Sequence, residues 1–221
     1  MTQRFVNIFD RKDICSGIDV TKLPPEHLIE WSQHVLTSQK TIMKWKGNGL
    51  MKTHLSQAMY LQLLQELKPK TIIEFGTWQG GSAQWFYDMC KAIGFTSTVH
   101  TFAHKNEIQS PLSSDIQFHI MDNYEVDSYS IPFNEVEHPV LMIDDAHRNC
   151  INVLKKFIHL LKTDDYLILE DTHYFLLGLE CKYNHELKTF INEQDFLVDS
   201  QYCDMFGYNM TDCLNTILRK S

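Results

Sequence analysis

The stretch "TIIEFGTWQGGSAQWF", residues 71–86, runs from a buried-strand pattern into a helical one through a turn holding three glycines. The β-branched start suits a strand. Gly76, Gly80 and Gly81 let the backbone come close to a ligand, and the helix N-terminus behind them favours electronegative groups. The spacing is G-x-x-x-G-G, not the dinucleotide pattern G-x-G-x-x-G. A plain tight connection would also use such glycines. Glu74 argues for a ligand: a carboxylate near the end of a buried strand needs a partner, and a cofactor's amine or hydroxyl would serve.

Working outward from this stretch, the chain alternates strand and helix patterns. Upstream, "THLSQAMYLQLLQELKP" reads as a helix of about four turns with Thr53 as its cap and Pro69 as its stop. "MKWKGNGLMK" reads as a glycine-bearing loop, and "LPPEHLIEWSQHVLTS" as a lead-in helix. Downstream, Gly94 closes the helix after the glycine turn. Strand patterns follow at "STVHTFA", "DIQFHIM", "HPVLMIDD" and "DYLILEDTH", with helices at "NCINVLKKFIHLLKTD" and "CKYNHELKTFINEQ". "FLVDSQYC" and "LNTILRK" close the chain as strands with no clear helix between them. This order predicts an α/β, doubly wound, mostly parallel sheet with an antiparallel edge. It divides into a lead-in over residues 1–50 and one domain over 51–221. Ligands of such sheets bind beyond the carboxyl ends of the strands.

Composition narrows the function. The chain has 221 residues and a formal net charge of −8 with no long basic run, which argues against nonspecific nucleic-acid binding. No apolar run reaches the roughly 18–20 residues that a membrane helix needs. Charges interrupt the apolar residues of the first segment, a poor secretion signal. The six cysteines form no C-x-x-C pair and read as thiols of a reducing compartment, so the expected location is cytoplasmic.

Two more strand ends carry chemistry. "MIDDAH" releases Asp144, Asp145 and His147 together. Alternation puts the two aspartates on opposite sides, so they do not share one task. One of them could simply cap the next helix. "LEDTH" adds Glu170 and Asp171. Acidic groups at neighbouring strand ends repel unless something positive sits among them, and oxygen ligands suit a hard divalent cation. Nitrogen from His147 and His173 would also suit zinc or iron. Carboxylates dominate, which favours magnesium.

"IIEFGTWQGGSAQWF", "LMIDDAH" and "LILEDTH", in this order and spacing, resemble the cephalosporin hydroxylase and rhamnosyl O-methyltransferase family, over roughly residues 50–220. The resemblance implies a class I, Rossmann-like methyltransferase fold of seven strands, with S-adenosylmethionine and Mg²⁺ as cofactors. It implies Asp144, Glu170 and Asp171 as metal ligands and His147 as the general base. Glu74, Gly76, Thr77, Gly81 and Ser82 would line the cofactor's methionine end, with Asp144 beside them and Asp122 near the adenosine. The implied reaction is O-methylation of a hydroxyl on a sugar, glycan or polyol. His147 would deprotonate the metal-bound hydroxyl. The resemblance also implies packing as a homo-oligomer. One departure stands out. The second strand of this class commonly ends in an acid that holds the ribose, whereas here Ala103 and His104 follow the strand and Glu107 lies further along. His104 would then hold the ribose, or the protein is a non-catalytic member that binds another ligand or serves as an accessory subunit. A nicotinamide oxidoreductase fits neither the glycine spacing nor the missing ribose acid.

Overall fold

The computed structural model describes residues 3–13, 43–133, 136–172 and 184–221. The lead-in helix expected around Trp31, and His173, lie outside them.

Thr71–Phe75 (β4) is buried along its whole length, with Ile72, Ile73 and Phe75 at 0% exposure. Two parallel neighbours explain this. Thr98–Ala103 (β5) lies on one side and Val140–Asp144 (β7) on the other. A strand covered on both faces needs a continuous apolar run rather than alternation, and "TIIEF" and "VLMID" supply it. Ile116–Ile120 (β6) pairs with β5 at the edge, where its residues alternate less strictly and Ile120 is half exposed. Tyr166–Leu169 (β8) continues the parallel set beyond β7.

Only Ile217–Lys220 (β10) reverses direction within the body of the sheet. It pairs antiparallel with β8 and with Phe196–Asp199 (β9), so β9 itself runs with the parallel set. Among the described residues the sheet holds eight strands rather than seven, because Phe5–Val6 (β1) pairs antiparallel with β9. Two residues carry too little periodicity to announce themselves as a strand. Arg4 secures them, with Nη2 2.8 Å from the buried Asp199 carboxylate. The sheet order is β1-β9-β10-β8-β7-β4-β5-β6.

Helices cover both faces. His54–Leu67 (α1) starts where Thr53 accepts a hydrogen bond from the Ser56 N–H at 3.0 Å and ends on Lys68 in the left-handed region. Gly81–Ile93 (α2) ends at Gly94, whose φ of +100° allows the closing turn. Cys150–Phe157 (α3) and His185–Glu193 (α4) complete the layers. The end of "FLVDSQYC" is not strand: Ser200–Cys203 (α5) is a helical turn capped by Asp199.

The expected loop "MKWKGNGLMK" is a β-hairpin of Met43–Trp45 (β2) and Asn48–Leu50 (β3). Lys46 and Gly47 both have positive φ, the requirement of a two-residue hairpin turn. The Asn48 side chain ties the hairpin to the loop after β5. Its Oδ1 accepts from the N–H groups of Gln109 and Ser110 at 3.1 and 2.7 Å.

Candidate active site at the strand ends

The glycine turn follows β4. Gly76 has φ +112°, and a Cβ there would lie 2.6 Å from the Asp145 carbonyl oxygen. A Cβ on Gly81 would lie 2.1 Å from the Gly49 carbonyl oxygen. Both glycines are therefore required by backbone packed on backbone, a reason their spacing did not reveal. Gly81→Ala is expected to cost about 1–3 kcal/mol, because the opposing group is main chain and cannot swing away. Urea denaturation would show it, and an unchanged midpoint would mean that the hairpin does not press on α2. Gly80 caps α2 without a side chain, so the first-turn N–H groups are open to other acceptors.

Glu74 is fully buried. One of its oxygens accepts from Thr101 Oγ1 at 2.6 Å; the other has no partner among the described residues. Burial raises its pKa, opposed by Lys52, Ser82 and Thr101. Thr77 Oγ1 lies 2.6 Å from Thr101 Oγ1.

The two aspartates after β7 part company, as strand alternation requires. Asp144 is 2% exposed, and its carboxylate turns back to accept from the Ala146 N–H at 3.0 Å, with the Cys150 thiol also hydrogen-bonding to it. Burial raises its pKa. Asp145 faces the other way. Its main-chain N–H donates to the Phe75 carbonyl at 2.8 Å, and its carboxylate meets Lys52 and His147.

Here three side chains converge. His147 Nε2 lies 3.0 Å from Asp145 Oδ1 and 3.2 Å from Asp171 Oδ2. One donor atom from each of the three residues lies within 4.8 Å of the others. Burial disfavours the imidazolium, but hydrogen bonds to the two carboxylates outweigh it and push the His147 pKa up to about 11. Asp145 is held down at about 2: burial opposes its ionisation, and Lys52 and His147 overcome that. Of the expected ligands, Asp171 thus comes together with His147 and with Asp145, Asp144 points away from them, and Glu170 lines the same cavity but is bonded by Lys52 and Tyr60. The Glu170 oxygens accept from Lys52 at 2.6 Å and from the Tyr60 hydroxyl. Burial and the nearby Asp145 charge raise its pKa well above the carboxylate range, against the pull of Lys52.

Lys52 is completely buried between Asp145 and Glu170. Burial alone would lower its pKa; the surrounding carboxylates raise it well above the usual value. Nothing in the sequence flagged it, because a lone lysine before a helix has the pattern of a solvated residue. Asp212 was likewise missed. It accepts from Ser56 Oγ at 2.7 Å, and burial together with the Asp171 charge pushes its pKa up to about 6. Three of the non-glycine residues with positive φ, Trp78, His147 and Asp171, belong to this place. Non-glycine residues hold that region only when surrounding structure enforces it, and such residues cluster at functional sites.

Two cavities meet over the turn, and Gly76, Trp78 and Asp145 line both. One, of about 230 Å³, reaches His104, Glu107, Asp122 and Arg148. The other, of about 220 Å³, reaches Thr77, Ser82, His147, Asp171 and Asp212. Both lie beyond the carboxyl ends of the parallel strands, where ligands of this architecture bind.

The donor set fits a hard divalent cation. Two carboxylate oxygens converge where His147, protonated in the absence of a cation, supplies the positive charge between them, a charge that a divalent cation would replace. The glycine turn also offers a partner for the amino group of a nucleoside cofactor with an amino-acid tail. Glu74 has a buried oxygen without a described partner close to the glycine turn.

The profile of the family described as Rhamnosyl O-methyltransferase/CmcI matches residues 38–180. The chain belongs to this family. The rhamnosyl O-methyltransferases of Mycobacterium bovis (strain BCG / Pasteur 1173P2) and Mycobacterium tuberculosis (strain ATCC 25618 / H37Rv) are each 30% identical to it over 125 residues. These matches cover 52% of the chain, which spans about half the length (50%) of these relatives. A cmcI structure described with Mg and SAM superposes with a TM-score of 0.67 at 26% identity, over 100% of this chain and 92% of that one. A second cmcI structure, described with SAH, gives 0.67 and 26% over 99% of each chain. The Rossmann-like architecture of the described residues is thus shared with the CmcI proteins. No helix among the described residues is long and apolar enough to cross a membrane.

Proposed function

We propose that this protein is an S-adenosylmethionine-dependent O-methyltransferase acting on a hydroxyl of a sugar or similar polyol, with a divalent cation, Mg²⁺, at the strand ends. The observation that carries the reading is the convergence of Asp145, His147 and Asp171 where the two cavities meet.

In this reading the larger cavity takes the nucleoside, and Glu74 receives the cofactor's amine. Thr77 and Ser82 line the second cavity, where the acceptor hydroxyl lies. Asp145 and Asp171 would hold the cation, with Glu170 kept in place by Lys52 and Tyr60. A cation bound there would lower the pKa of the acceptor hydroxyl and balance the two aspartates in place of the imidazolium. His147, now neutral, takes the acceptor proton at Nε2. Gly76 and Trp78 border both cavities, so donor and acceptor are aligned by the turn itself.

Titration calorimetry with S-adenosylmethionine, with and without Mg²⁺, tests this. Cofactor heat is expected, together with Mg²⁺-dependent transfer of labelled methyl to a rhamnosyl or comparable neutral glycoside. No heat in either condition would leave a fold turned to another use, such as an accessory subunit.

A further inference from the structure

We propose that Glu107, from the loop after β5, holds the ribose hydroxyls of the nucleoside cofactor in place of a carboxylate at the strand end. The inference rests on the methyltransferase reading above. A ribose presents two neighbouring hydroxyls as donors, and one carboxylate can accept from both. In doubly wound nucleotide-binding folds an acid after the second strand takes this part. Here β5 ends on Ala103, whose methyl group accepts nothing.

Three acids line the larger cavity: Glu107, Asp122 and Asp145. Two of them have other duties. Asp145 is engaged by Lys52 and His147. Asp122 caps the turn after β6, where its Oδ1 accepts from the Tyr124 N–H at 2.9 Å. Glu107 has one ion pair, with Lys105 at 3.0 Å, and that lysine is 57% exposed. An exposed pair of this kind contributes little to stability, so the carboxylate is free to exchange it for a ligand.

The backbone around Glu107 is anchored on both sides. Asn106 Oδ1 accepts from the Ile108 N–H at 3.0 Å, which fixes the turn that carries Glu107. The next two residues, Gln109 and Ser110, donate to the buried Asn48 of the hairpin. The loop thus presents its carboxylate to the cavity from a fixed base, and ordering it costs little on binding. His104 lines the same cavity, but a neutral imidazole offers a single acceptor nitrogen and cannot serve both hydroxyls.

Calorimetric binding of S-adenosylhomocysteine tests the assignment without depending on turnover. Glu107→Gln is expected to weaken binding by about 10–100-fold, the loss of a charge-assisted hydrogen bond, while His104→Gln changes it little. The 2′-deoxy form of the same ligand should lose affinity with the wild-type protein and lose little more with Glu107→Gln, since the variant already lacks that contact. Glu107 is partly exposed, so the variant is expected to keep its thermal midpoint. Wild-type binding with Glu107→Gln within about twofold would overturn this assignment alone. A substitution that weakened the ribo and 2′-deoxy ligands by the same factor relative to the wild type would overturn it as well. Absence of any wild-type binding would overturn the methyltransferase reading and this inference with it.

Discussion

Replacing Lys52 by methionine is expected to lower the unfolding free energy by about 3–5 kcal/mol, the usual cost of removing one partner from a buried ion pair. Methionine nearly preserves the length of the side chain, so the change isolates the charge. The ammonium is fully buried and bonded to Asp145 and Glu170. Without it the Asp145 and Glu170 carboxyls are left in a dry interior, with His147 and Tyr60 as their near partners among the described residues. The variant should therefore show an altered pH profile. In the wild type the Lys52 pKa is raised, so its contribution is full below the ordinary lysine value and is lost only as pH rises through the elevated one. Without the ammonium, Asp145 loses the partner that holds its pKa down, and the already raised Glu170 pKa rises further. Their protonated forms are tolerated, so the variant regains stability as pH falls and loses it as pH rises from the unfolded carboxylate range through the raised folded values. Urea denaturation at pH 7 and near pH 5 would read both effects. Adding Glu170→Gln to Lys52→Met removes one of the two stranded carboxyls and should recover part of the loss. A cost below about 1 kcal/mol at pH 7, typical of an exposed pair, would show that Lys52 does not bridge the two acids.

The second expected result separates two neighbouring residues. Asp145→Asn should weaken divalent-cation binding by more than about 100-fold, the upper end for losing a mere supporting partner. It should also lower methyl transfer by about 10²–10³-fold, the scale seen when one preorganised charged group is removed. Asp144→Asn should leave cation binding nearly unchanged, because that carboxylate bonds the Ala146 N–H on the far side of the strand. Titration with Mn²⁺ followed by electron paramagnetic resonance measures binding directly. The reverse ranking would mean that the strand end rotates when the cation enters and that Asp144 is the ligand. Loss in both variants would point to a general disturbance of β7.

Much of the fold was legible because its causes are local. The run "TIIEF" has the continuous apolar character of a strand covered on both faces. Thr53 and Gly94 end their helices through bonds made within a few residues. What escaped reading depended on distant partners. The hairpin at Met43–Leu50 passed for a loop because Lys46 occupies a positive-φ position with no residue signal for it. Phe5–Val6 is a strand only because β9 offers it an edge.

The site divides along the same line. Three strand ends with acids, a glycine turn and a histidine marked the active rim, since buried carboxylates need partners wherever they fall. Which carboxylates meet was decided elsewhere. Register joins the end of β7 to the start of the segment after β8, where the Glu170 N–H donates to the Asp144 carbonyl at 3.0 Å. Lys52, Asp212 and Glu107 arrive from three separate parts of the chain. A sequence shows on which face of its own element a residue lies, because side-chain direction repeats with backbone geometry. It does not show what that face meets, because the electrostatics of a buried group are set by atoms brought within a few ångströms only when the sheet, the hairpin and the C-terminal loop have packed.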